Sequence, residues 1–233
     1  MRRPPPTRRE RVRVQTIGQI KEAALDQLRN VGAAQLSLRA VAGAMGMSPA
    51  GLYRYYASRD DLLTALIADG FDALAAAVAV GRVGHEDADV AERLLVGFAA
   101  FRRWAIEHRH EFGLLYGDPI PGYAAPEGGS THAASHRVGE AVLAPVVDAW
   151  RAGRLRIPSR PAGTDDPATR RWAAALDPEL PTEAAAVVMG GWTRLHGLVI
   201  LEVFGHLRWL GPDSGPLAAA QLRALVAELV APA

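Results

Sequence analysis

Residues 38–56 read LRAVAGAMGMSPAGLYRYY, with Gly46 between two short helical patterns. Glycine adopts the positive φ that a tight turn between two helices often needs. Ala42 is small enough to let two helices cross closely. The positions that would face inward are apolar: Val41, Met45, Met47 and Leu52. The stretch therefore predicts a helix-turn-helix between Leu38 and Ala57.

Helices are also predicted on both sides of this stretch. From Val14 apolar residues recur at spacings of three and four, and Gly32 stands where the helix would end. The next three helices follow candidate N-caps: Ser37, Ser48 and Ser58. Further helices fit about 59–80, 87–108, 110–116, 133–153, 183–209 and 214–230, with a short one near 167–175. No alternating apolar pattern predicts a strand, so the expected fold class is all-α.

Charge is distributed unevenly along the 233 residues. Residues 1–60 hold 11 Lys/Arg and 4 Asp/Glu, a balance of +7, whereas residues 61–233 hold 15 and 21, a balance of −6; the two sum to +1. A basic head on an acidic body is typical of a chain whose head binds a polyanion. Residues 1–13 contain six arginines and three prolines and are expected to form a disordered arm. The arm would follow a minor groove of DNA, add charge-based affinity, or make no ordered contact.

The second helix of a helix-turn-helix enters the major groove of DNA by its N-terminal end. The candidate base contacts lie on that helix: Ser48, Ala50, Gly51, Tyr53, Arg54 and Tyr55. Tyr53 and Tyr55 can either reach phosphates with their hydroxyls or pack against thymine methyl groups. Arg54 can donate two hydrogen bonds to guanine, worth about 1–3 kcal/mol of discrimination. The candidate phosphate contacts stand at helix starts, where an anion is favoured: Ser37, Arg39 and Arg59. The alternative is a helical hairpin that binds no DNA.

The two late helices indicate a dimer. The helix predicted from Glu183 contains four glycines: Gly190, Gly191, Gly197 and Gly205. Glycine inside a helix costs up to about 1 kcal/mol, which close packing against another helix would explain. The last helix presents an apolar stripe of Leu222, Leu225, Val226 and Leu229. These surfaces exceed what one body needs to cover, which favours a homodimer, and packing within one chain is the alternative.

Aromatic residues of the body, with a few polar neighbours, mark a candidate small-molecule pocket. Its members are Phe98, Phe101, Arg102, Trp104, Tyr116, Met189, Trp192 and His196. Plain core packing is the alternative for each aromatic side chain.

Sequence motifs for catalysis or for a cofactor are not found. The chain has no Gly-rich phosphate loop and no Gly-x-Ser-x-Gly elbow. His132 and His136 could share a metal on one helix face, but no further ligand stands at a suitable spacing, so a solvated surface is favoured. We therefore expect neither an enzyme nor a metal or cofactor site.

The expected location is the cytoplasm. Cysteine is absent, which fits a reducing compartment, and no apolar segment of signal-peptide type follows the basic N-terminus. The apolar stretch 184–210 is interrupted by five polar residues, which would be costly in a bilayer, so a buried helix is predicted there.

Residues from about Ile17 to Leu74 resemble the DNA-binding head of the TetR family of bacterial regulators. The resemblance rests on AA at 23–24, Gly32, LSLRAVA at 36–42, MGMS at 45–48, LYRYY at 52–56 and SRDDLL at 58–63. The body is similar to one TetR subgroup through WTRLHG at 192–197, LE at 201–202 and FGLLYGDPIPGY at 112–123.

The resemblance implies an all-α homodimer with a three-helix DNA-binding head, residues 14–58, and a helical ligand-binding and dimerisation body, residues 59–233. The last two long helices would pair with those of a second copy in a four-helix bundle, and the body would hold a ligand cavity. The family's DNA contacts carry over to the candidate base and phosphate contacts named above. Arg59 stands where many relatives carry lysine, which keeps the charge and changes the contact geometry.

We therefore expect a ligand-responsive transcriptional regulator. It would act as a repressor that binds a palindromic operator in double-stranded DNA as a homodimer and is released by a small-molecule effector. No membrane partner is expected. The alternative is a helical small-molecule-binding or interaction protein without sequence-specific DNA function.

Overall fold

A computed structural model describes residues 7–158, 165–211 and 214–231. Within these ranges the chain forms ten α-helices and no strand, which confirms the predicted all-α fold class. The helices are α1 (Arg8–Val31), α2 (Leu38–Ala44), α3 (Pro49–Tyr53), α4 (Arg59–Gly81), α5 (Val90–Glu107), α6 (Arg109–Tyr116), α7 (Ser130–Arg151), α8 (Pro167–Leu176), α9 (Thr182–Val203) and α10 (Gly215–Leu229).

The described residues group into two compact units. The head unit comprises the residues up to Gly70 together with His110–Ala134. The body unit comprises Phe71–Arg109 together with the residues from Ser135 onward. This grouping follows spatial contact, and the functional boundary predicted at residue 58 stays a prediction.

Helix α1 begins earlier than predicted. It starts at Arg8, so the expected disorder is wrong for residues 8–13, whereas residues 1–6 of the predicted arm lie outside the described residues. A capping box starts the helix: the Glu10 N–H donates to the Thr7 hydroxyl at 3.2 Å, and the Thr7 N–H donates to the Glu10 carboxylate at 2.7 Å. These two bonds satisfy amides that would otherwise lack a partner at the helix start.

The predicted helix-turn-helix forms between α2 and α3, which are seven and five residues long. Gly46 makes the turn between them with φ at +64°. Ser48 caps α3 by accepting a hydrogen bond from the Gly51 N–H at 3.2 Å. Ser58 caps α4 in the same way, accepting from the Asp61 N–H at 3.0 Å.

The core of the head unit is apolar and contains side chains from the first four helices. Its fully buried members are Ile20, Ala24, Val41, Ala42, Leu52, Leu62 and Leu63. Three residues from much later in the chain also pack against this core: Leu114, Ile120 and Tyr123. Two polar contacts accompany them, an Arg29–Glu111 ion pair at 2.6 Å and a hydrogen bond of 3.1 Å between the hydroxyls of Thr64 and Tyr123. No sequence pattern of residues 110–134 predicts that they pack with the head.

Helix α9 is shorter than predicted. The pattern from residue 183 to 209 suggested one helix, but α9 ends at Val203. Gly205 takes φ of +76°, and the His206 N–H donates to the Leu201 carbonyl at 2.8 Å, which closes the helix end. The continuous prediction is therefore wrong beyond Val203.

Helices α4 and α9 are long and apolar enough to cross a membrane by length and composition alone. Helices in the core of a soluble protein pass the same test. In α9, Ala184, Leu195 and Val199 are fully buried in the body unit, where they contribute to its core.

Alanine at Gly46 should lower the free energy of unfolding by about 1–2 kcal/mol, because a β-carbon strains the left-handed backbone of the turn. Gly43 is the matched control, since it lies inside α2 and an added β-carbon there meets no atom within 4 Å. Gly43→Ala should raise the free energy of unfolding by about 0.5–1 kcal/mol. Denaturant titration measures both variants. Shifts of the same sign would contradict the turn geometry.

Candidate nucleic-acid interface and body cavity

The predicted base contacts lie on and beside the short helix α3. Leu52 is fully buried and fixes this helix on the core of the head unit. The next two residues therefore face outward, and 48% of the Tyr53 side chain is exposed. Among the predicted base contacts, Ser48, Ala50, Tyr53 and Arg54 are exposed, and Gly51 and Tyr55 are partly buried.

A basic groove adjoins these residues. Arg8, Arg9 and Arg13 line it from α1, and Arg54 and Tyr55 line it from the end of α3, around a volume of about 480 Å³. The Arg13 guanidinium lies 5.2 Å from the centre of the Tyr55 ring, a cation–π contact. None of these four arginines forms an ion pair within the described part of the chain. The groove therefore carries uncompensated positive charge, which attracts a polyanion. The arginine and proline content of residues 1–13 predicts disorder, so the sequence gives no sign of this groove.

The predicted phosphate contacts have different surroundings. The Ser37 side chain makes no capping hydrogen bond, while its backbone N–H donates to the Gln27 side-chain carbonyl at 3.0 Å. Arg39 is exposed on α2. Arg59 is partly buried and donates to the Ala33 carbonyl at 2.9 Å. Arg59 therefore ties the start of α4 to the turn after α1, an interaction that the sequence analysis did not predict.

Three of the predicted pocket residues form an aromatic cluster in the body unit. Phe101 meets Trp192 edge to face, with ring centres 5.6 Å apart, and His196 lies 4.9 Å from Trp192 and 6.1 Å from Phe101. Phe98 and Trp104 on the same helix as Phe101 are buried. Burial lowers the pKa of His196, because desolvation disfavours the charged imidazolium.

The other predicted pocket residues lie elsewhere. Met189 is 39% exposed at the surface of α9. Tyr116 belongs to the head unit, where its ring packs 5.1 Å from that of Phe112 and burial raises the pKa of its phenol. Arg102 is paired with Glu202. The eight residues therefore do not form one site in the structure, and their role as a ligand pocket stays a prediction.

A cavity of about 320 Å³ lies beside Arg102 in the body unit. Arg102 donates two hydrogen bonds to the Glu202 carboxylate, at 2.7 and 2.5 Å, and the Ser214 hydroxyl donates a third at 2.5 Å. Burial alone would raise the pKa of Glu202, but these hydrogen bonds and the arginine charge outweigh it and hold the pKa below its usual value. Glu202 is therefore ionised and its charge is balanced by Arg102.

Within the described residues, no cluster of three or more histidine, aspartate or glutamate side chains could hold a metal ion. His132 and His136, considered above as a metal pair, are exposed on α7.

An all-α chain whose helix-turn-helix exposes uncompensated arginines has the architecture of a DNA-binding transcriptional regulator. Two family models match the chain. Residues 20–66 match the model described as bacterial regulatory proteins, tetR family, and residues 94–225 match the tetracyclin repressor-like C-terminal domain. The chain belongs to the TetR family of bacterial regulators.

Similar proteins agree with this assignment over nearly the whole chain. The HTH-type transcriptional regulator Rv1816 of Mycobacterium tuberculosis is 32% identical over 228 residues, which cover 95% of each chain. The HTH-type transcriptional regulator Mb1846 of Mycobacterium bovis shows the same identity and coverage.

Solved structures share the fold. The crystal structure of SCO4313 has a TM-score of 0.74 at 32% identity and covers 94% of this chain and 98% of its own. The TetR family regulator PfmR from Thermus thermophilus has a TM-score of 0.56 at 23% identity, covering 90% and 96%. The predicted family and its regulatory function are confirmed, and the protein is a regulator rather than an enzyme. The likeness to the subgroup with the Trp-x-x-x-His-Gly element stays a prediction.

The lowered pKa of His196 predicts a pH-dependent stability. A group with a lowered pKa in the folded state binds more protons when the chain unfolds, so the free energy of unfolding falls as pH drops below about 6.5 and levels off once pH passes the folded-state pKa. His196→Gln should flatten this decline. Urea titrations between about pH 7.5 and 5.5 measure it.

The matched control is His110→Gln, because His110 is exposed at the surface of the head unit. This variant should keep the wild-type pH profile. Parallel profiles for wild type and His196→Gln would contradict a buried, neutral imidazole.

Proposed function

We propose that the protein is a repressor that binds a palindromic operator as a homodimer and is released by a small molecule. The observation that carries the proposal is the exposed, uncompensated positive charge around α3. Two heads related by two-fold symmetry would reach half-sites about one turn of DNA apart. The cytoplasm is the proposed location, and no membrane takes part.

Arg54 is the proposed reader of base sequence. It is exposed directly after α3, and a guanidinium can donate to two acceptors of one guanine. Ser48, Ala50 and Gly51 let the backbone approach the groove, and Tyr53 and Tyr55 contact phosphates or thymine methyl groups. Ser37 and Arg39 bind phosphate at the start of α2. The Arg59 guanidinium already donates one hydrogen bond to the Ala33 carbonyl, so only its other N–H groups are available to a phosphate.

The arginines of α1 add affinity that does not depend on base sequence. Arg8, Arg9 and Arg13 line the same groove as Arg54, so a DNA backbone that passes the tip also passes these side chains. Each phosphate contact releases counterions and steepens the salt dependence of binding. Arg13 also holds the Tyr55 ring in place by its cation–π contact.

The proposed dimer surface lies on the last two long helices, α9 and α10, and its exposed part is a face of α9. The predicted α10 stripe of Leu222, Leu225, Val226 and Leu229 is buried within the chain, so that stripe does not support the dimer. Gly190, Gly197, Leu201 and Phe204 lie on one stripe at helical spacing. Leu201 is 43% exposed and Phe204 is 41% exposed. An added β-carbon at Gly190 or Gly197 meets no atom within 4 Å, so this face leaves room for another helix. Gly191 lies on the other side, where an added β-carbon would come within 3.0 Å of Leu229 in α10.

Arg54→Gln should remove sequence preference. After selection of a bound site from random DNA, this variant should lose about 1–3 kcal/mol of discrimination per subunit against a site with a changed guanine. Arg8→Gln should keep the sequence preference and reduce the slope of log affinity against log salt by about 0.9 for each phosphate that the side chain neutralises. Gel shifts over a salt series measure both quantities.

Arg103→Gln is the control for charge alone, because Arg103 is exposed on α5 of the body unit. It should change neither quantity. If Arg54→Gln weakened all DNA sequences equally, Arg54 would be a phosphate contact. If the wild type preferred no sequence at any salt concentration, the proposed operator binding would be wrong.

Leu201→Glu should raise the dissociation constant of the dimer by roughly tenfold or more, because two-fold symmetry places two uncompensated carboxylates in one interface. Sedimentation velocity over a dilution series measures it. Val80→Glu is the matched control, since Val80 is 68% exposed on α4 and away from the proposed stripe. Equal weakening by both variants, or no change with Leu201→Glu, would contradict the proposed surface.

A further inference from the structure

We propose that the cavity beside Arg102 binds a small carboxylate with a short apolar part. The inference rests on the proposed function in one respect, since it names the chemical class of the effector. Binding itself can be measured in the absence of DNA.

The charge balance of the cavity favours an anion. Arg102, Arg109 and Arg208 line it, and Glu202 is the acidic residue among its described lining residues. Glu202 is already bound by Arg102 and by the Ser214 hydroxyl. Within the described ranges, Arg109 and Arg208 form no ion pair, so their two positive charges have no acidic partner in the cavity.

The backbone holds one of these cations at the wall. A β-carbon at Gly205 would lie 2.7 Å from Nε of Arg208, so the Arg208 side chain folds back over the end of α9. A cation at a helix C-terminus is favoured by the helix dipole. Gly215, the first residue of α10, also lines the cavity.

The volume of the cavity and its apolar lining residues limit the class of ligand that it can bind. A volume of about 320 Å³ is at the small end of ligand sites. Ile106, Val203 and Leu207 line the cavity beside the arginines, so a ligand with one charged group and a short apolar part matches both kinds of wall. Guanidinium groups bind carboxylates through paired hydrogen bonds. The aromatic cluster of Phe101, Trp192 and His196, in contrast, is closely packed.

Isothermal titration of benzoate into the full chain without DNA tests the site. Benzoate should bind saturably at millimolar concentration or below. Benzamide has the same shape without the charge and should bind far more weakly. Inorganic phosphate has the charge without the apolar part and should also bind more weakly than benzoate. Arg109→Gln and Arg208→Gln should each weaken benzoate by about tenfold or more, as expected when a hydrogen bond to a charged group is removed. Arg103→Gln should leave benzoate binding unchanged.

The proposal is overturned if benzoate does not saturate, if benzamide or phosphate binds as tightly as benzoate, or if Arg103→Gln weakens binding as much as the cavity variants do. Both cavity residues are exposed, so the variants should fold, and their melting temperatures check this. The readout needs no DNA, so it is independent of operator binding: a wild type that binds benzoate but no operator contradicts the proposed function and leaves the anion site standing.

Discussion

The burial of Leu52 is the contact on which the proposed DNA-reading surface depends. Helix α3 has five residues, far fewer than a helix needs to be stable alone in water. Its direction is therefore set by packing, and Leu52 is its fully buried residue. The outward direction of Tyr53 and Arg54 follows from that contact. The positions of the exposed side chains of such a short helix are therefore fixed only as well as the core beneath it is packed.

That core is built from distant parts of the chain. Leu114, Ile120 and Tyr123 complete it, although they come much later in the chain than the helix-turn-helix. The Arg29–Glu111 ion pair joins the same two parts at 2.6 Å. Segments so far apart make no periodic pattern together, so the sequence could not predict their contact. The structure thus puts a segment from beyond α5 in the unit that would bind DNA.

Local signals account for most of what the sequence predicted and for some of what it missed. Serine caps and the positive φ of Gly46 are local features, and the helix-turn-helix was predicted from them. The start of α1 has an equally local signal, since Thr7 and Glu10 form a capping box three residues apart, but the arginine and proline content of residues 1–13 outweighed it. The end of α9 at Val203 also has a local signal, since Gly205 follows it with a positive φ, but the sequence pattern had favoured helix packing as the role of this glycine. The predicted aromatic pocket does not form one site for another reason. Composition indicates that aromatic side chains are buried, but it does not indicate which of them lie in the same unit.

Arginine has two opposite uses in this chain, and pairing distinguishes them. In the body unit, several arginines form ion pairs with acidic residues, as Arg93 does with Asp148 at 3.1 Å and Arg194 with Glu228 at 2.5 Å. In the head unit, the arginines of the basic groove have no such partner among the described residues. Exposed ion pairs contribute little to stability, but they cancel the field that would attract another polyanion. The contrast in charge between head and body is therefore one of pairing as well as of composition: ion pairs cancel part of the positive charge of the body unit, whereas the arginines of the basic groove keep theirs.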